Sequence, residues 1–383
     1  MLMTKILYHS QQNQRNFAIL CGMDGEAKYK EVFRTLRSEI LSGAFDAHCR
    51  FPSEGQLMRK FGVSRNTVRT ALEELKRSGM IETRNGAGTF LTPAARGTTG
   101  TLGLIMPGIA SGEIFPRICA AFTLLARREG FTTIFGDISS PDPVIRSTQA
   151  LRLAHDYADQ HVAGVLFEPL ELMPDADETT DEIVATLEKS HIPFVLIDRD
   201  IVPPPERSAY DLVGLDNVRV GYRLARHLLD VGARRIHFLM RPGSAPTVLK
   251  RASGVRDAVL DAGLAWTKSR VHALDPSDMQ AVRRELVKTG ADAVICGNDA
   301  TAAALLETLQ RLRVDVPRDL RVTGGDDVRY ASLVTPRLTT IHQPCEQLAE
   351  AALAALVQRI RNPKAAPREI LLDAELVIRA STR

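Results

Sequence analysis

The five cysteines of this 383-residue chain (Cys21, Cys49, Cys119, Cys296, Cys345) are odd in number and scattered, with no C-x-x-C pair and no histidine at metal-ligand spacing. That pattern speaks against a disulfide framework or a zinc site and fits a reducing compartment, so a cytoplasmic protein without metal or cofactor is expected. Long apolar runs are missing as well, since no window approaches the about 18 consecutive apolar residues that a bilayer span needs. The opening MLMTKILYHSQQNQRNF lacks the unbroken apolar core and small-residue cleavage site of a secretory signal. There is no large excess of either charge, with 49 Lys and Arg against 46 Asp and Glu. With 26 Gly and 20 Pro the composition is that of ordinary globular protein, which excludes collagen-like, low-complexity and wholly disordered classes. At about 100–200 residues per domain the length implies two or three domains.

Charge is unevenly distributed. Residues 28–93 carry twelve Lys and Arg against seven acids, a net +5, while residues 1–27 cancel and the remainder holds a net −2. A basic head on a slightly acidic body points to an anionic partner for the head alone. A solvated charged surface is the ordinary alternative. Residues 1–27 read as a tail, with Met23 as a second possible start.

In the head, Val32, Leu36, Ile40 and Leu41 fall on one face of a helix that Ser42-Gly43 ends. Ser53 caps a short second helix with Leu57, Met58 and Phe61 inward and Gly62 as its stop. Ser64 caps a third, with Val68, Ala71, Leu72 and Leu75 inward. Two short helices joined by a tight Gly-containing turn form a helix-turn-helix. The third helix then opens with Arg65, Asn66, Thr67 and Arg69, side chains able to reach base edges in a major groove, where Arg grips guanine and Asn adenine. MIETRNGAGTFL follows as strand, Asn-Gly turn and strand, a wing whose Arg84 and glycines lie along the DNA backbone or minor groove.

Over residues 28–93 the elements P-S-E-x-x-L, V-S-R-x-T-V-R and x-G-x-G-T-F occur in order, and the segment closely resembles the DNA-binding domain of the GntR family of bacterial transcription regulators. The resemblance implies operator contacts from Arg65, Thr67 and Arg69, a place near DNA for Glu54, a phosphate contact for Lys28, and a wing tip of Asn85, Gly86 and Gly88. Gly55 stands where many members have Arg, so their operator sequences do not carry over.

After a small, polar linker (94–100), strands and helices alternate through residues 101–383. The expected class is α/β: an N-terminal winged helix-turn-helix, then two lobes built on doubly wound parallel sheets. Lobe 1 is expected at about 101–205 and 341–369, lobe 2 at about 210–336 and 370–383, the pattern restarting at DLVGLDN. Ligands of open parallel sheets bind beyond the carboxyl ends of strands, which directs attention to Asp137, Glu168, Asp198, Arg199, Asn298, Asp299 and Asp326. Helix capping or a surface turn is the ordinary role for each alone, and is preferred for Asp137. Converging carboxylates and amides suit a polyhydroxylated ligand.

The body also resembles the effector domain of the LacI/GalR family, a relative of periplasmic sugar-binding proteins, through I-P-F-V-L-I-D-R, V-G-L-D-N, K-R-x-x-G, C-G-N-D, G-G-D-D and P-R-L-T-T-I-H-Q-P. That resemblance implies effector contacts from Asp198, Arg251, Asn298 and Asp326, with Phe115 and Glu168 lining the first lobe. Gly325 and Cys345 depart from the family's usual ring-bearing or aliphatic residues and alter pocket shape. A GntR-type head on a LacI-type body is the arrangement of the arabinose repressor group, which makes arabinose the leading effector. The function so implied is repression by a homodimer on a palindromic operator, released by sugar. Its rivals are a GntR-headed aminotransferase-like enzyme, a sugar-transport protein, and a regulator sensing a non-sugar ligand such as a nucleobase. No Schiff-base lysine context, G-x-S-x-G or metal pair supports an enzyme.

Overall fold

The computed structural model describes residues 28–40, 45, 51–84, 88–92 and 100–383, apart from 111, 139, 141, 172–175 and 204. The expected tail, nearly all of the linker, Asn85 and Gly86 lie outside the described residues.

The head is three helices and a hairpin: α1 (28–40), α2 (Glu54–Phe61), α3 (Arg65–Arg77), β1 (Ile81–Arg84) and β2 (Gly88–Leu91). Ser53 and Gln56 form a reciprocal capping box that starts α2, and Gly62, at φ 63°, ends it in the left-handed region where glycine carries no steric penalty. Two residues later Ser64 accepts the Thr67 N–H and starts α3. The chain therefore turns within three residues, which is what the helix-turn-helix requires. Val32, Leu36, Ile40, Leu57, Val68, Ala71 and Leu75 meet in one core closed by Ile81 and Leu91, which pair across the antiparallel hairpin.

The body holds two larger sheets. The first has six strands: β3 (Thr101–Ile105), β4 (Thr132–Phe135), β5 (Gly164–Phe167), β6 (Phe194–Ile197), β7 (Asp211–Leu215) and β13 (Glu369–Leu372), in spatial order β13-β7-β6-β5-β3-β4. The second has β8 (Ile236–Met240), β9 (Val271–Ala273), β10 (Ala293–Cys296) and β11 (Arg321–Thr323), in order β11-β10-β8-β9, all parallel. Around them lie α4 (Ile114–Arg128), α5 (Pro143–Asp159), α6 (Ala176–Lys189), α7 (Asn217–Asp230), α8 (Pro246–Asp261), α9 (Met279–Val282), α10 (Asp299–Arg311) and α11 (Cys345–Arg361). β12 (Thr340–His342) and β14 (Glu375–Val377) pair antiparallel as a separate two-stranded sheet.

The expected lobe boundary needs correcting. β7 pairs with β6 (Ile197 opposite Val213), and β13 pairs with β7 (Ile370 opposite Val213), so both belong to the first lobe. The second lobe begins at α7, after Asp216, and the C-terminal segment returns to it only after Leu372. Every residue of β7 is buried. Such a strand reads as the same continuous apolar run in either sheet, so its partner was not legible in the pattern.

Candidate functional site

In the head, the first turns of α3 expose Arg65, Asn66 and Arg69, while Thr67 is half-buried with its hydroxyl 2.9 Å from Ser64 Oγ in the cap. Arg65 Nε donates to Glu54 Oε2 at 2.7 Å, across the turn that joins α2 and α3. Glu54 thus orients Arg65 in the described head. Arg69 pairs with Glu73 one turn on, at 3.3 Å. Lys28 is exposed at the start of α1, and Gly88 opens β2 opposite Arg84.

In the first lobe, the strand-end residues form one charged cluster. Glu168, just beyond β5, is 1 % exposed; its Oε2 accepts the Gly108 N–H at 2.9 Å and its Oε1 accepts Arg199 Nη2 at 3.0 Å. A Cβ placed on Gly108 stands 2.6 Å from Glu168 Oε1 and 2.8 Å from Phe115 Cδ2, which puts the half-buried Phe115 ring beside that carboxylate. Arg199 also reaches Asp198 Oδ2 at 3.0 Å, Glu171 Oε1 at 3.1 Å and the Pro169 carbonyl at 3.0 Å. Burial pushes the Glu168 carboxyl up to about 8 against the pull of Arg199 and the Gly108 N–H. Burial also works against the Arg199 charge, but the three carboxylates outweigh it and hold the guanidinium firmly protonated. Asp198 sits at φ 72°, a left-handed backbone that Asp tolerates better than most residues and that is frequent at functional sites.

In the second lobe, Arg251 of α8 is 5 % exposed; its Nε donates to Asn217 Oδ1 at 2.7 Å and its Nη1 to the Gly297 carbonyl. Asp326 accepts Gln343 Nε2 at 2.8 Å, and burial together with Asp299 raises its carboxyl to about 6. Asn298 caps α10, its Oδ1 accepting the Thr301 N–H at 2.9 Å. Asp299 differs from the expectation that it faces an effector. It is wholly buried and accepts the N–H groups of Gly325 (2.8 Å), Asp326 (3.3 Å) and Val328 (3.0 Å) together with the Thr340 hydroxyl. Three of these bonds converge on Oδ1 and the Val328 N–H takes Oδ2, so the carboxylate is committed to the G-G-D-D loop. Cys345 is buried at the start of α11.

Contacts from both lobes enclose these clusters. Glu113 Oε2 accepts the Arg329 N–H at 2.8 Å, and Glu171 Oε2 accepts the Ala245 N–H at 3.1 Å. Glu171, Asn217, Gln343 and Thr340 were not singled out from the sequence, although Asn217 lies inside the V-G-L-D-N element and Thr340 and Gln343 inside P-R-L-T-T-I-H-Q-P. For Asn217 and Gln343 the available signal was their place just beyond the ends of β7 and β12. A separate cavity of about 750 Å³ is lined by Asp200, Leu215, Asn217, Leu249, Lys250 and Glu369, among others, and by none of the expected effector residues except through Asn217, which holds Arg251. Among the described residues no group of three or more His, Cys, Asp or Glu could hold a metal ion, and no helix is long and apolar enough to cross a membrane.

Residues 28–91 match the family model of bacterial regulatory proteins, gntR family, and residues 225–382 match that of the periplasmic binding protein-like domain. The chain joins a GntR-type head to a periplasmic-binding-protein-like body. Along 93 % of its length it is similar to the arabinose metabolism transcriptional repressor of Halalkalibacterium halodurans, 28 % identical over 97 % of that protein. It is similar over the same share to the repressor of that name from Geobacillus stearothermophilus, 25 % identical over 98 % of it. Among solved structures, a CelR–cellobiose complex matches with TM-score 0.62, 23 % identity, and coverage of 86 % of this chain and 100 % of that one. A LacI family regulator from Enterococcus faecium with bound ribose matches with TM-score 0.59 and 23 % identity over 74 % of this chain and 98 % of that one. These two likenesses establish the fold. Both arabinose relatives are named as transcriptional repressors, and with its GntR-type head this chain is a DNA-binding transcription regulator.

Proposed function

We infer that the protein is a cytoplasmic repressor whose head holds operator DNA and whose cleft binds a sugar that releases it. One observation carries the sugar reading: two polar, charged clusters come from opposite lobes, the hydrogen-bonded Glu168–Arg199–Asp198 set and the Arg251–Asn217 pair with Asp326 in its electrostatic reach. Carboxylates accept from sugar hydroxyls and guanidinium groups donate to them, so a polyol can add bonds to both walls where an apolar ligand offers them neither donor nor acceptor. Similarity over nearly the full length to arabinose repressors favours arabinose among sugars.

On the DNA side, Arg65, Asn66 and Arg69 read bases and Lys28 holds phosphate, with Glu54 keeping Arg65 in place until guanine replaces it. The active form is a homodimer on a palindromic operator. Its body interface is supported by Leu124 and Phe135, each about half exposed (54 % and 46 %) on α4 and the edge strand β4, which a Thr133–Thr123 hydroxyl contact at 3.2 Å holds side by side. Val144 (56 %) and Ile145 (52 %) in the first turn of α5 add to the exposed apolar surface.

The test is fluorescence anisotropy of the full-length protein on its operator, titrated with arabinose at fixed salt. Arabinose releases wild-type protein and leaves Arg251→Ala bound at the same concentration. Arg65→Ala weakens operator binding by about 1–3 kcal/mol and scrambled DNA much less. Release of Arg251→Ala at the wild-type concentration refutes the cleft assignment.

A further inference from the structure

We propose that Glu171 is the positioning residue that couples the cleft to lobe closure, by bonding one carboxylate simultaneously to the first-lobe charged cluster and to the N-terminus of the second-lobe helix that carries Arg251. The inference rests on the reading of the cleft as the effector site and adds its regulation.

Two oxygens of one side chain do two jobs. Glu171 Oε1 is 3.1 Å from Arg199 Nη2, and Glu171 Oε2 accepts the Ala245 N–H at 3.1 Å. Ala245 is the N-cap residue of α8, and an alanine has no side chain with which to cap. Helices gain from an acceptor and a negative charge at this end, since their first N–H groups have no partner within the helix. α8 obtains both from the other lobe. Pro246 follows at the first helical position and has no N–H of its own, which leaves the Ala245 N–H as the donor presented there.

Arg251 lies on this same helix, locked to Asn217 and Gly297, so the helix cannot shift without moving Arg251. Opening the lobes breaks the Glu171–Ala245 bond and carries Arg251 away with α8 in one motion. Glu113, accepting the Arg329 N–H at 2.8 Å beside the G-G-D-D loop, is a second latch of the same chemistry. Both donors are main-chain groups. The latches therefore depend on the two glutamates and not on the side chains at 245 or 329.

The experiment is hydrogen exchange at single-amide resolution on the full-length protein, with arabinose as the probe ligand. Glu171→Ala should speed exchange of the Ala245 amide about tenfold, the loss of one hydrogen bond to a charged acceptor, and speed that of the Arg329 amide by less, through more frequent opening of the lobes. Glu113→Ala should do the reverse. Glu171→Gln, which keeps a carbonyl acceptor, should restore protection at Ala245, and arabinose should bind Glu171→Ala about tenfold more weakly than wild type. Unchanged exchange at Ala245 in Glu171→Ala overturns the proposal. So does faster exchange that spreads to the β8 strand amides, because the lobe is then unfolding and not unlatching. If wild-type protein fails to bind arabinose, the sugar reading falls, and the exchange rates still decide the latch.

Discussion

Gly221 on α7 and Gly254 on α8 face one another with no room for a side chain. A Cβ on Gly221 would stand 1.9 Å from the Arg251 carbonyl oxygen, and one on Gly254 would stand 1.8 Å from the Val218 carbonyl oxygen. The two helices touch through their backbones, and that approach brings Arg251 within reach of Asn217, the first residue of α7. The Gly of K-R-x-x-G is thereby explained by helix packing. Gly254→Ala is expected to cost about 3 kcal/mol, since backbone cannot yield as a flexible side chain does, and to weaken arabinose binding by displacing Arg251. Urea unfolding and calorimetric titration read the two effects. A variant as stable as wild type contradicts the packing.

Asp299 and Asp326 stand side by side in the second lobe, and opposite outcomes are expected from the same substitution. Asp299→Asn replaces an acceptor that serves three backbone N–H groups with an amide whose NH2 must face one of them, at a cost of about 3 kcal/mol in stability. Asp326→Asn relieves repulsion between two buried carboxylates, so stability changes by less than about 1 kcal/mol while arabinose affinity falls. Because the Asp326 carboxyl lies at about 6, arabinose affinity of the wild type should weaken as pH drops through that value. Thermal unfolding and titration of both variants at pH 7.5, a value chosen above about 6 so that Asp326 is ionised, separate the roles.

His237 on β8 and His272 on β9 stack with ring centroids 5.1 Å apart and share a 2.8 Å Nδ1···Nε2 hydrogen bond. Burial, then the neighbouring ring, depresses His237 to about 4, below its ordinary 6.5. In this window the unfolded chain binds the proton and the folded protein does not. Stability is therefore complete above pH 6.5 and is lost as pH falls towards 4, by about 3 kcal/mol for His237. Glu168 acts in the opposite sense: raised from 4.5 to about 8, it contributes most below 4.5 and loses that contribution as pH rises through 8. Unfolding midpoints measured against pH should show a flattened acid limb in His237→Gln and a flattened alkaline limb in Glu168→Gln. An unchanged acid limb in His237→Gln refutes the assignment.

The head was legible almost residue by residue, because its signals are local. Ser53, Gly62 and Ser64 act within a turn or two of themselves, and their capping chemistry is the same in any context. The body's strands and helices were legible for a related reason, the alternation of short apolar runs with amphipathic stretches. The partner of β7 was not, since pairing with β6 rather than β8 depends on which sheet has an open edge. Nor was the role of Asp299, whose neighbour Asn298 caps a helix while its own carboxylate turns inward to a loop 26 residues away in sequence.

The sequence by itself determined the order of elements, the basic head, the two-lobed α/β body and the set of polar residues at strand ends. Tertiary structure alone decided which of those residues are free to meet a ligand. Whether a carboxylate is an available acceptor depends on the N–H groups that surround it, and for Asp299, Glu168 and Glu171 these come from loops and helices distant in sequence. Hydrogen-bond capacity is spent in three dimensions, and no one-dimensional pattern records where.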